Sequence, residues 1–495
     1  MFRLPSANWF RVSVLLTLLL GCNAQPPVPE QAEKPLAPPP EIPALDPVHL
    51  GEERLKSPLL ETIRQQIERT ETDETREVTE PLTKQLVSAD AIMSDARRKN
   101  RAAIQQANRQ VRMGAARQSP NFVLITVDRL GVGDLGCYGQ TRWETPALDR
   151  LAADGLRFTQ CYSGLSPTAS QTSLLTGRFE QTVNSPVTNS SGRGTASLPR
   201  VLWNAGYKTA LIGEWSGDAS PTVQGYEESS GWNVTAPEFP DWALLNGQRI
   251  ALENNVGGQR QVSQTDFLVS EVRSFLRDTR GRANQFCLHV SLRAFDEAAD
   301  RSLNADDYAA RVRSVDAMTG RIVATLDELG LTNRTCLLFL ALSGPRLTLS
   351  ELVRETHGTG DFTHSANGLQ EGNLRVPFVV RWPEHLAPNT TCDEVIGPWD
   401  MLPTLTQLAQ VSRPIGPVDG QSLAGVWQKR QPLKARRLVW MSADGEVLAV
   451  REKNWKLLRD ASKPPQLFDL SSDLAEERDV AADHADILQR LMKAR

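Results

Sequence analysis

The chain has 495 residues, which is too long for one ordinary core, so we expect two domains with additional segments. Apolar residues make up 40% and charged residues 23% of the sequence, which is enough to build a packed core. The formal net charge is −4, so no overall basic field indicates nucleic acid, and we expect no nucleic-acid partner.

The amino-terminal segment is typical of an export signal rather than of folded structure. Positively charged residues precede an apolar run over 12–20, which is too short to span a bilayer as a mature helix. The run ends in Leu-Leu-Gly-Cys, which resembles a bacterial lipobox. We therefore expect a lipoprotein signal peptide over 1–22 and lipid on Cys22. The alternative is an ordinary secretory signal with an incidental cysteine.

Lipidation would make the membrane a partner through Cys22 and place the chain in the cell envelope. Asn23, not Asp, follows the cysteine, which favours the outer membrane in Gram-negative bacteria. Residues 23–49 are rich in proline and predict an extended tether. Residues 50–118 are charged and helical in pattern; they predict either a partner-binding stalk or a solvated helical linker.

From residue 119 the pattern changes to an alternation of strands and helices. Continuous apolar, β-rich runs predict buried strands at 122–127, 207–212, 286–292, 335–342 and 376–381. Helices are predicted at 148–156, from 172, at 198–204 and at 305–329. This order predicts an α/β fold, a mainly parallel sheet flanked by helices, in a domain over 119–429.

The segment after about residue 430 is predicted to contain short antiparallel strands. A hairpin signal joins 438–442 to 446–451, and further strands are predicted at 455–458 and 466–470. A terminal helix is predicted at 483–493. We expect a small C-terminal α+β subdomain over 430–495. The remaining cysteines are scattered, so no zinc site is indicated, and Cys287 and Cys336 lie in apolar runs that predict burial.

A motif near the middle of the chain carries a family resemblance. Residues 166–178 read S-P-T-A-S-Q-T-S-L-L-T-G-R, which resembles the sulfatase signature C-x-P/A-S-R followed by L-T-G-R. The run P-N-F-V-L-I-T-V-D-R-L-G-V-G-D-L-G-C-Y-G over 120–139 and Q-E-G-N-L-R-V-P over 370–377 also match that family in order. Across about 119–490 the chain thus resembles a sulfatase, which implies an alkaline-phosphatase-like fold.

The same resemblance implies that the catalytic positions have changed. The sulfatase cysteine, which is oxidised to formylglycine, aligns with Pro167, which has no thiol or hydroxyl to oxidise. The lysine before the motif glutamate Glu371 becomes Ala366. No catalytic residues are expected, and the degenerate positions are Pro167, Gln171, Glu214, Ser216 and Asp296.

The calcium ligands that the resemblance implies have changed as well. Sulfatases bind one Ca²⁺ through paired aspartates after the first strand and an Asp-Asn pair after a later one. The four aligned positions are Asp128, Arg129, Leu342 and Ser343. We therefore expect no cofactor, with Ca²⁺ only if the family site were still functional. Arg129 is expected to pair with Asp128 or a neighbouring carboxylate in place of the ion.

Two further features leave alternatives open. His357, Asp361 and His364 have plausible metal-ligand spacing but also suit an ordinary loop. Thr168 is one residue past the nucleophile position and is a candidate substitute nucleophile, although the metals that would activate it lack ligands. The nearby serines are expected to cap the helix: Ser166, Ser170 and Ser173.

Three functions follow from these observations. The first is a sulfatase-like envelope lipoprotein that is catalytically inactive and has a binding or assembly role. The second is an active hydrolase of sulfuric or phosphoric esters with a rearranged site. The third is a structural envelope protein that acts through its helical segment over 50–118.

Overall fold

The structure is a computed structural model. It describes residues 119–179, 197–215, 220–233, 236–280, 285–295, 303–345, 350–362, 368–411, 416–429, 431–442, 444–460 and 462–493. The predicted signal peptide, lipid site, tether and helical segment over 1–118 lie outside these residues. In the described part, no helix combines the length and the apolar composition needed to cross a bilayer.

Ten strands among the described residues form one large sheet. In chain order they are β1 Asn121–Asp128, β2 Leu156–Phe158, β3 Lys208–Glu214, β4 Glu228–Trp232, β5 Trp242–Leu245, β6 Gln248–Ala251, β7 Phe286–Arg293, β8 Thr335–Ala341, β9 Phe378–Arg381 and β10 Thr390–Cys392. Their spatial order is β10-β2-β9-β8-β1-β7-β3-β4-β5-β6. The central strands β8, β1, β7, β3 and β4 are all parallel to one another.

Most helices of the described residues connect these strands and cover the sheet, whereas the last one packs against the C-terminal strands. They are α1 Pro146–Ala153, α2 Pro167–Thr176, α3 Leu198–Asn204, α4 Pro221–Gln224, α5 Gln264–Arg280, α6 Ala305–Glu328, α7 Ser350–Thr356, α8 Glu371–Leu374, α9 Met401–Leu408, α10 Ala424–Lys429 and α11 Ala485–Met492. The amphipathic α5 buries Phe267, Val272 and Leu276. Burial of such a stripe against the sheet supplies most of a helix's stability.

A second sheet follows in the C-terminal region. Four antiparallel strands lie in the order β11 Arg437–Met441, β12 Val447–Glu452, β13 Trp455–Leu458 and β14 Gln466–Asp469. One face packs Trp440 and Phe468 against Tyr162 and Leu374 of the larger domain. The fold-class prediction is therefore confirmed: a mainly parallel α/β sheet flanked by helices, with a small C-terminal α+β part.

Some predicted boundaries were wrong. The helix predicted at 148–156 ends at Ala153, and Leu156 instead begins β2. The strand predicted at 376–381 begins at Phe378, and it is antiparallel to β8. The helix predicted from 172 begins at Pro167. Cys287 and Cys336 are free and buried, as predicted. The domain boundaries stay a prediction.

Candidate functional site

The candidate site lies where four neighbouring parallel strands end. Asp128 is the last residue of β1, Glu214 of β3 and Arg293 of β7. Leu342 and Ser343 directly follow β8. Because the carboxyl ends of parallel strands meet at one edge, the topology brings these residues together, and such an edge is where α/β proteins bind ligands.

An ion pair occupies this edge. Arg293 Nε lies 2.6 Å from Glu214 Oε2, and their side chains are 24% and 8% exposed. Gln264 Nε2 donates a hydrogen bond to Glu214 Oε1 at 3.2 Å. The carboxylate of Glu214 is therefore held by a guanidinium and an amide from two different elements, β7 and α5.

Asp128 lies half-buried beside this pair. Burial raises the pKa of Asp128 to about 6, against the lowering effect of the charges on Arg293 and Arg129, while Glu214 raises it further. The sequence prediction paired Asp128 with Arg129. The charge of Arg129 does lower the pKa of Asp128, as that pairing requires, but Arg293 has the larger effect.

The backbone around Asp128 is joined to the loop after β8. The Arg129 N–H donates to Ser343 Oγ at 3.0 Å. Leu342 N–H donates to the Val127 carbonyl at 2.8 Å, and Leu130 N–H donates to the Ser343 carbonyl at 3.0 Å. Arg129 has a left-handed backbone with φ of 64°. The two loops that would present metal ligands are thus fixed to each other.

These residues do not fit a calcium ion. Ca²⁺ takes six to eight oxygen ligands, several of them carboxylates. Leu342 offers no side-chain oxygen and is 1% exposed, and the Ser343 hydroxyl accepts the Arg129 N–H. Two guanidinium charges act on Asp128, the one carboxylate among the four aligned positions. A cation here would meet positive charge instead of anionic oxygen.

The helix that would carry a nucleophile starts with a proline. Pro167 is the first residue of α2, a position that favours proline because its missing N–H would be unsatisfied there anyway. Ser166 Oγ accepts the Ala169 N–H at 3.1 Å, so Ser166 caps the helix as predicted. Ser170 lies within the helix, and its Oγ accepts the Gly164 N–H at 2.8 Å. Thr168 is exposed in the first turn.

Of the remaining candidate residues, some are described by the structure and four lie outside the described residues. Gln171 is buried in α2, at 7% exposure. His357 is exposed with φ of 54°, and Asp361 is exposed as well. No group of three potential metal ligands was found in the part of the chain that the structure describes. Four predicted positions lie outside the described residues: Ser216, Asp296, His364 and Ala366.

Sequence reasoning missed Arg293, whose guanidinium pairs with Glu214 and lowers the pKa of Asp128. The signal was present, because a charged residue directly follows the apolar run of a predicted buried strand. Its partner could not be identified from the sequence, since β3 and β7 are more than seventy residues apart and their register is a tertiary property.

Comparisons with known proteins agree on one family. The sulfatase family profile matches residues 120–411, and a profile for the C-terminal region of N-sulphoglucosamine sulphohydrolase matches 366–494. Mouse steryl-sulfatase is 28% identical over 504 aligned residues, covering 74% of this chain and 79% of the relative. Human arylsulfatase A is 29% identical over 453, covering 76% and 87%.

A solved structure supports the same fold. The PsFucS1 sulfatase from Pseudoalteromonas sp. superimposes with a TM-score of 0.62 at 19% identity, covering 80% of this chain and 92% of that one. At this identity the likeness concerns the fold alone.

Proposed function

Because the chain belongs to the sulfatase family, we propose that it is a member that has lost ester hydrolysis and keeps the fold for a binding or assembly role. The observation that carries this proposal is the Arg293–Glu214 ion pair at the carboxyl edge of the sheet. By resemblance, Glu214 stands where a sulfatase presents a lysine to the sulfate. A carboxylate at this position repels a sulfate ester. The nearby guanidinium of Arg293 does not compensate, because its charge is already neutralised by Glu214.

The start of α2 supports the same proposal. Pro167 cannot become formylglycine, since its ring has no oxidisable thiol or hydroxyl. The hydroxyl of Ser166 accepts a helix N–H, and that of Ser170 accepts a loop N–H, so both have structural roles. Members of this family usually bind a metal ion, and the residues at Asp128 and Leu342 are not suited to one.

The test is hydrolysis of a chromogenic aryl sulfate and an aryl phosphate by the full chain. We expect rates equal to buffer alone, and mass spectrometry of the peptide containing Pro167 should show an unmodified residue. The matched variants are Thr168→Ala and Ser166→Ala. The opposite outcome is turnover above buffer that is lost in Thr168→Ala and retained in Ser166→Ala. That result would support an active hydrolase with a rearranged site.

A calcium titration tests the metal side of the proposal. A ligand stabilises a protein only when it binds the folded state. We therefore expect the Tm to be the same in millimolar Ca²⁺ and in chelator. A clear calcium-dependent rise in Tm would overturn this part of the proposal.

The site of action that we propose is the cell envelope, with lipid on Cys22 as the anchor. The Leu-Leu-Gly-Cys sequence and the proline-rich tether behind it support this. Detergent phase partitioning should place the wild-type chain in the detergent phase and Cys22→Ala in the aqueous phase. Wild-type protein in the aqueous phase would contradict lipidation.

A role through residues 50–118 is the structural alternative. Deleting 50–118 and following partner capture from envelope extracts separates the two roles. Capture that survives the deletion supports binding by the sulfatase-like body, and capture that is lost supports the helical segment.

A further inference from the structure

A groove with a volume of about 820 Å³ runs beside β10, the strand at one end of the large sheet. Its lining residues come from β10 and its flanking loops, from α10 and the segment 431–436 ahead of β11, and from the turn after β12. No described residue of the candidate site lines this groove. It is therefore a separate feature of the molecule.

The strand β10 has a backbone edge that faces away from its neighbour β2. The Thr390 N–H donates to the Gly155 carbonyl at 3.2 Å, and the Thr159 N–H donates to the Cys392 carbonyl at 3.0 Å. In a parallel pair, alternate residues bond to the same neighbour, so the N–H and C=O of Thr391 point to the other side. Thr391 is exposed and lines the groove. Since none of the described strands pairs with that side, Thr391 offers a donor and an acceptor to an incoming strand.

Arg436 presents two unsatisfied donors at the groove. Its side chain is 9% exposed, and its Nη1 donates to both carboxylate oxygens of Asp400, at 2.8 and 3.0 Å. Its Nε and Nη2 have no hydrogen-bond partner within the part of the chain that the structure describes. These two nitrogens share one edge of the planar guanidinium, and two parallel N–H groups match the two oxygens of a carboxylate. Arg436 therefore favours a ligand that carries a carboxylate.

Two further buried donors at the groove lack an acceptor. The indole Nε1 of Trp427, which is 5% exposed, has no hydrogen-bond partner among the described residues. The same holds for Nη1 of Arg451, which is 3% exposed and lies 3.8 Å from Glu371 Oε2. Native proteins bury few donors without an acceptor, because each one costs free energy. Donors of three residues at one groove therefore favour a ligand rich in acceptors.

The segment that carries Arg436 is fixed in place. The Lys434 N–H donates to Gln421 Oε1 at 2.9 Å, and Gln421 Nε2 donates to the Lys434 carbonyl at 3.0 Å. The Gln421 N–H in turn donates to Asp400 Oδ1 at 2.7 Å. Because the arginine and its support are already ordered, little conformational entropy would be lost when a ligand binds there.

The charges at the groove favour an acidic ligand. Four cations and two carboxylates line it: Lys434, Arg436, Arg451, Lys453, Asp393 and Glu394. Lys434 and Lys453 are exposed, so they attract an approaching negative chain before contact. The Asp393 carboxylate accepts the Thr159 hydroxyl at 2.6 Å.

We propose that this groove binds an extended, acidic segment of a partner protein, which adds as a strand beside β10. The backbone of that segment pairs with Thr391, and an Asp or Glu side chain binds Nε and Nη2 of Arg436. When a strand adds to a sheet edge, main-chain hydrogen bonds give affinity and alternate side chains give specificity. An acidic saccharide also carries carboxylates, but it has no backbone amides in register with Thr391.

Fluorescence polarisation of the full chain with labelled peptides tests this proposal. The peptides alternate Thr and Val, and one Glu is moved through successive positions. Comparison peptides replace that Glu by Gln. We expect at least one Glu peptide to bind at least about tenfold more tightly than its Gln counterpart, because Gln cannot form a charged bidentate pair with Arg436.

Methylated peptides test the strand pairing. In an extended peptide, alternate amides point to opposite sides, so only one alternate set can face β10. N-methylation of that set should weaken binding at least about tenfold, and N-methylation of the other set should leave binding unchanged. Equal effects of the two sets would overturn strand addition.

Three variants of the chain complete the experiment. Thr391→Pro removes the outward N–H of β10 at an exposed position and should weaken binding at least about fivefold. Ala251→Pro is the matched control at the other end of the sheet and should leave binding unchanged. The Leu252 N–H donates to the Asp241 carbonyl at 2.9 Å, so the N–H of its neighbour Ala251 points away from β5. Arg436→Lys keeps a cation beside Asp400 but loses the planar pair of donors, so it should weaken the Glu peptide and not the Gln peptide.

The proposal is overturned if no Glu peptide binds, if the Gln peptides bind as tightly, or if Thr391→Pro binds as the wild type does. Competition identifies the source of the carboxylate. If N-acetylglutamate or glucuronate displaces the labelled peptide as well as unlabelled peptide does, the groove is a small-anion or saccharide site, and the proposal is wrong. These outcomes do not depend on ester hydrolysis, so they are independent of the proposed function.

Discussion

Glu214 cannot simply be returned to the lysine that the family resemblance implies. Its carboxylate lies 2.6 Å from the Arg293 guanidinium, so Glu214→Lys would place two cations together. We expect Glu214→Gln to lower the free energy of unfolding by about 1–3 kcal/mol, less than for a fully buried pair because Arg293 is partly exposed. Glu214→Lys should cost more than Glu214→Gln. Urea denaturation measures both.

The control for charge reversal is an exposed pair. Arg273 pairs with Glu328, and their side chains are 43% and 55% exposed. Glu328→Lys should change the free energy of unfolding by at most about 1 kcal/mol. Equal effects of Glu328→Lys and Glu214→Lys would show that the site pair has no special role.

The titration of Asp128 reports on the same charges. Arg293 is the strongest influence that lowers the pKa of Asp128, so Arg293→Gln should raise that pKa above its wild-type value of about 6. Carboxyl NMR, with Asp128→Asn to assign the signal, measures the change. In the wild type, the raised pKa means that the folded state holds this proton more tightly than the unfolded chain. The resulting stability is full below about pH 4 and is lost as pH rises through about 6. A pKa that falls in Arg293→Gln would contradict this account.

At the scale of elements, the sequence predicted the central strands best. Strands β1, β3, β7 and β8 are buried on both faces, so continuous apolar runs identify them within two residues. The edge strand β6 is mostly exposed and polar, and no strand was predicted there. The antiparallel direction of β9 was also not predicted, because direction depends on the path of the connection rather than on the residues of the strand.

The site was predictable by position but not by partner. Asp128 and Glu214 were located by their alignment with sulfatase motifs, beside strands that the sequence identifies. Their arrangement around Arg293 depends on the strand order β1-β7-β3, which joins segments distant in the chain. Local patterns contain no information on that order.

The start of α2 offers a direct test of capping. Ser166 Oγ accepts the Ala169 N–H at 3.1 Å. Ser166→Ala should lower the free energy of unfolding by about 1 kcal/mol, since the helix N–H loses its acceptor. Thr168→Ala, two residues along and exposed, should change it by less than about 0.5 kcal/mol. Chemical denaturation of the two variants gives the comparison, and equal effects would argue against the cap.

His289 of β7 contacts β1 and the loop before β4, and it should make the fold sensitive to acid. Its Nε2 lies 2.8 Å from Thr126 Oγ1 in β1, and its Nδ1 lies 2.6 Å from Tyr226 Oη. Burial lowers the pKa of His289 from 6.5 to about 4. Between about pH 6.5 and 4, this histidine is therefore protonated in the unfolded chain but stays neutral in the folded state. Stability should fall by up to about 1.4 kcal/mol per pH unit between about 6.5 and 4.

Two histidine variants isolate this effect. His289→Gln should be less stable than the wild type at pH 7 but should lose less stability on acidification to pH 4.5. His385→Gln removes an exposed histidine and should follow the wild-type profile. An unchanged acid slope in His289→Gln would refute the assignment.

At the scale of the whole molecule, the C-terminal sheet is attached to the larger domain through a shared core and a buried charge. Trp440 packs against Tyr162 with ring centroids 5.8 Å apart, and the Trp440 indole N–H donates to the Ser163 carbonyl at 3.0 Å. Tyr162 Oη donates to Glu371 Oε2 at 2.5 Å. The apolar and polar contacts thus join the same surfaces, so we expect the described body to unfold as one cooperative unit.

Lys456 is the residue on which this attachment depends most. Its ammonium lies fully buried between Glu371 and Glu476, one from each side of the junction. Lys456→Met keeps the length of the side chain but leaves two carboxylates buried without the cation between them. We expect a loss of about 3–5 kcal/mol in the free energy of unfolding, because Glu476 stays buried without the ammonium that lies 2.8 Å from its carboxylate. Lys453→Met, at the exposed turn before β13, should be nearly neutral. Differential scanning calorimetry distinguishes the outcomes. One transition shifted downward supports a single cooperative body, and a low-temperature transition that splits off shows that the C-terminal sheet is a separate unit. A shift no larger than that of Lys453→Met would mean that the attachment does not depend on Lys456.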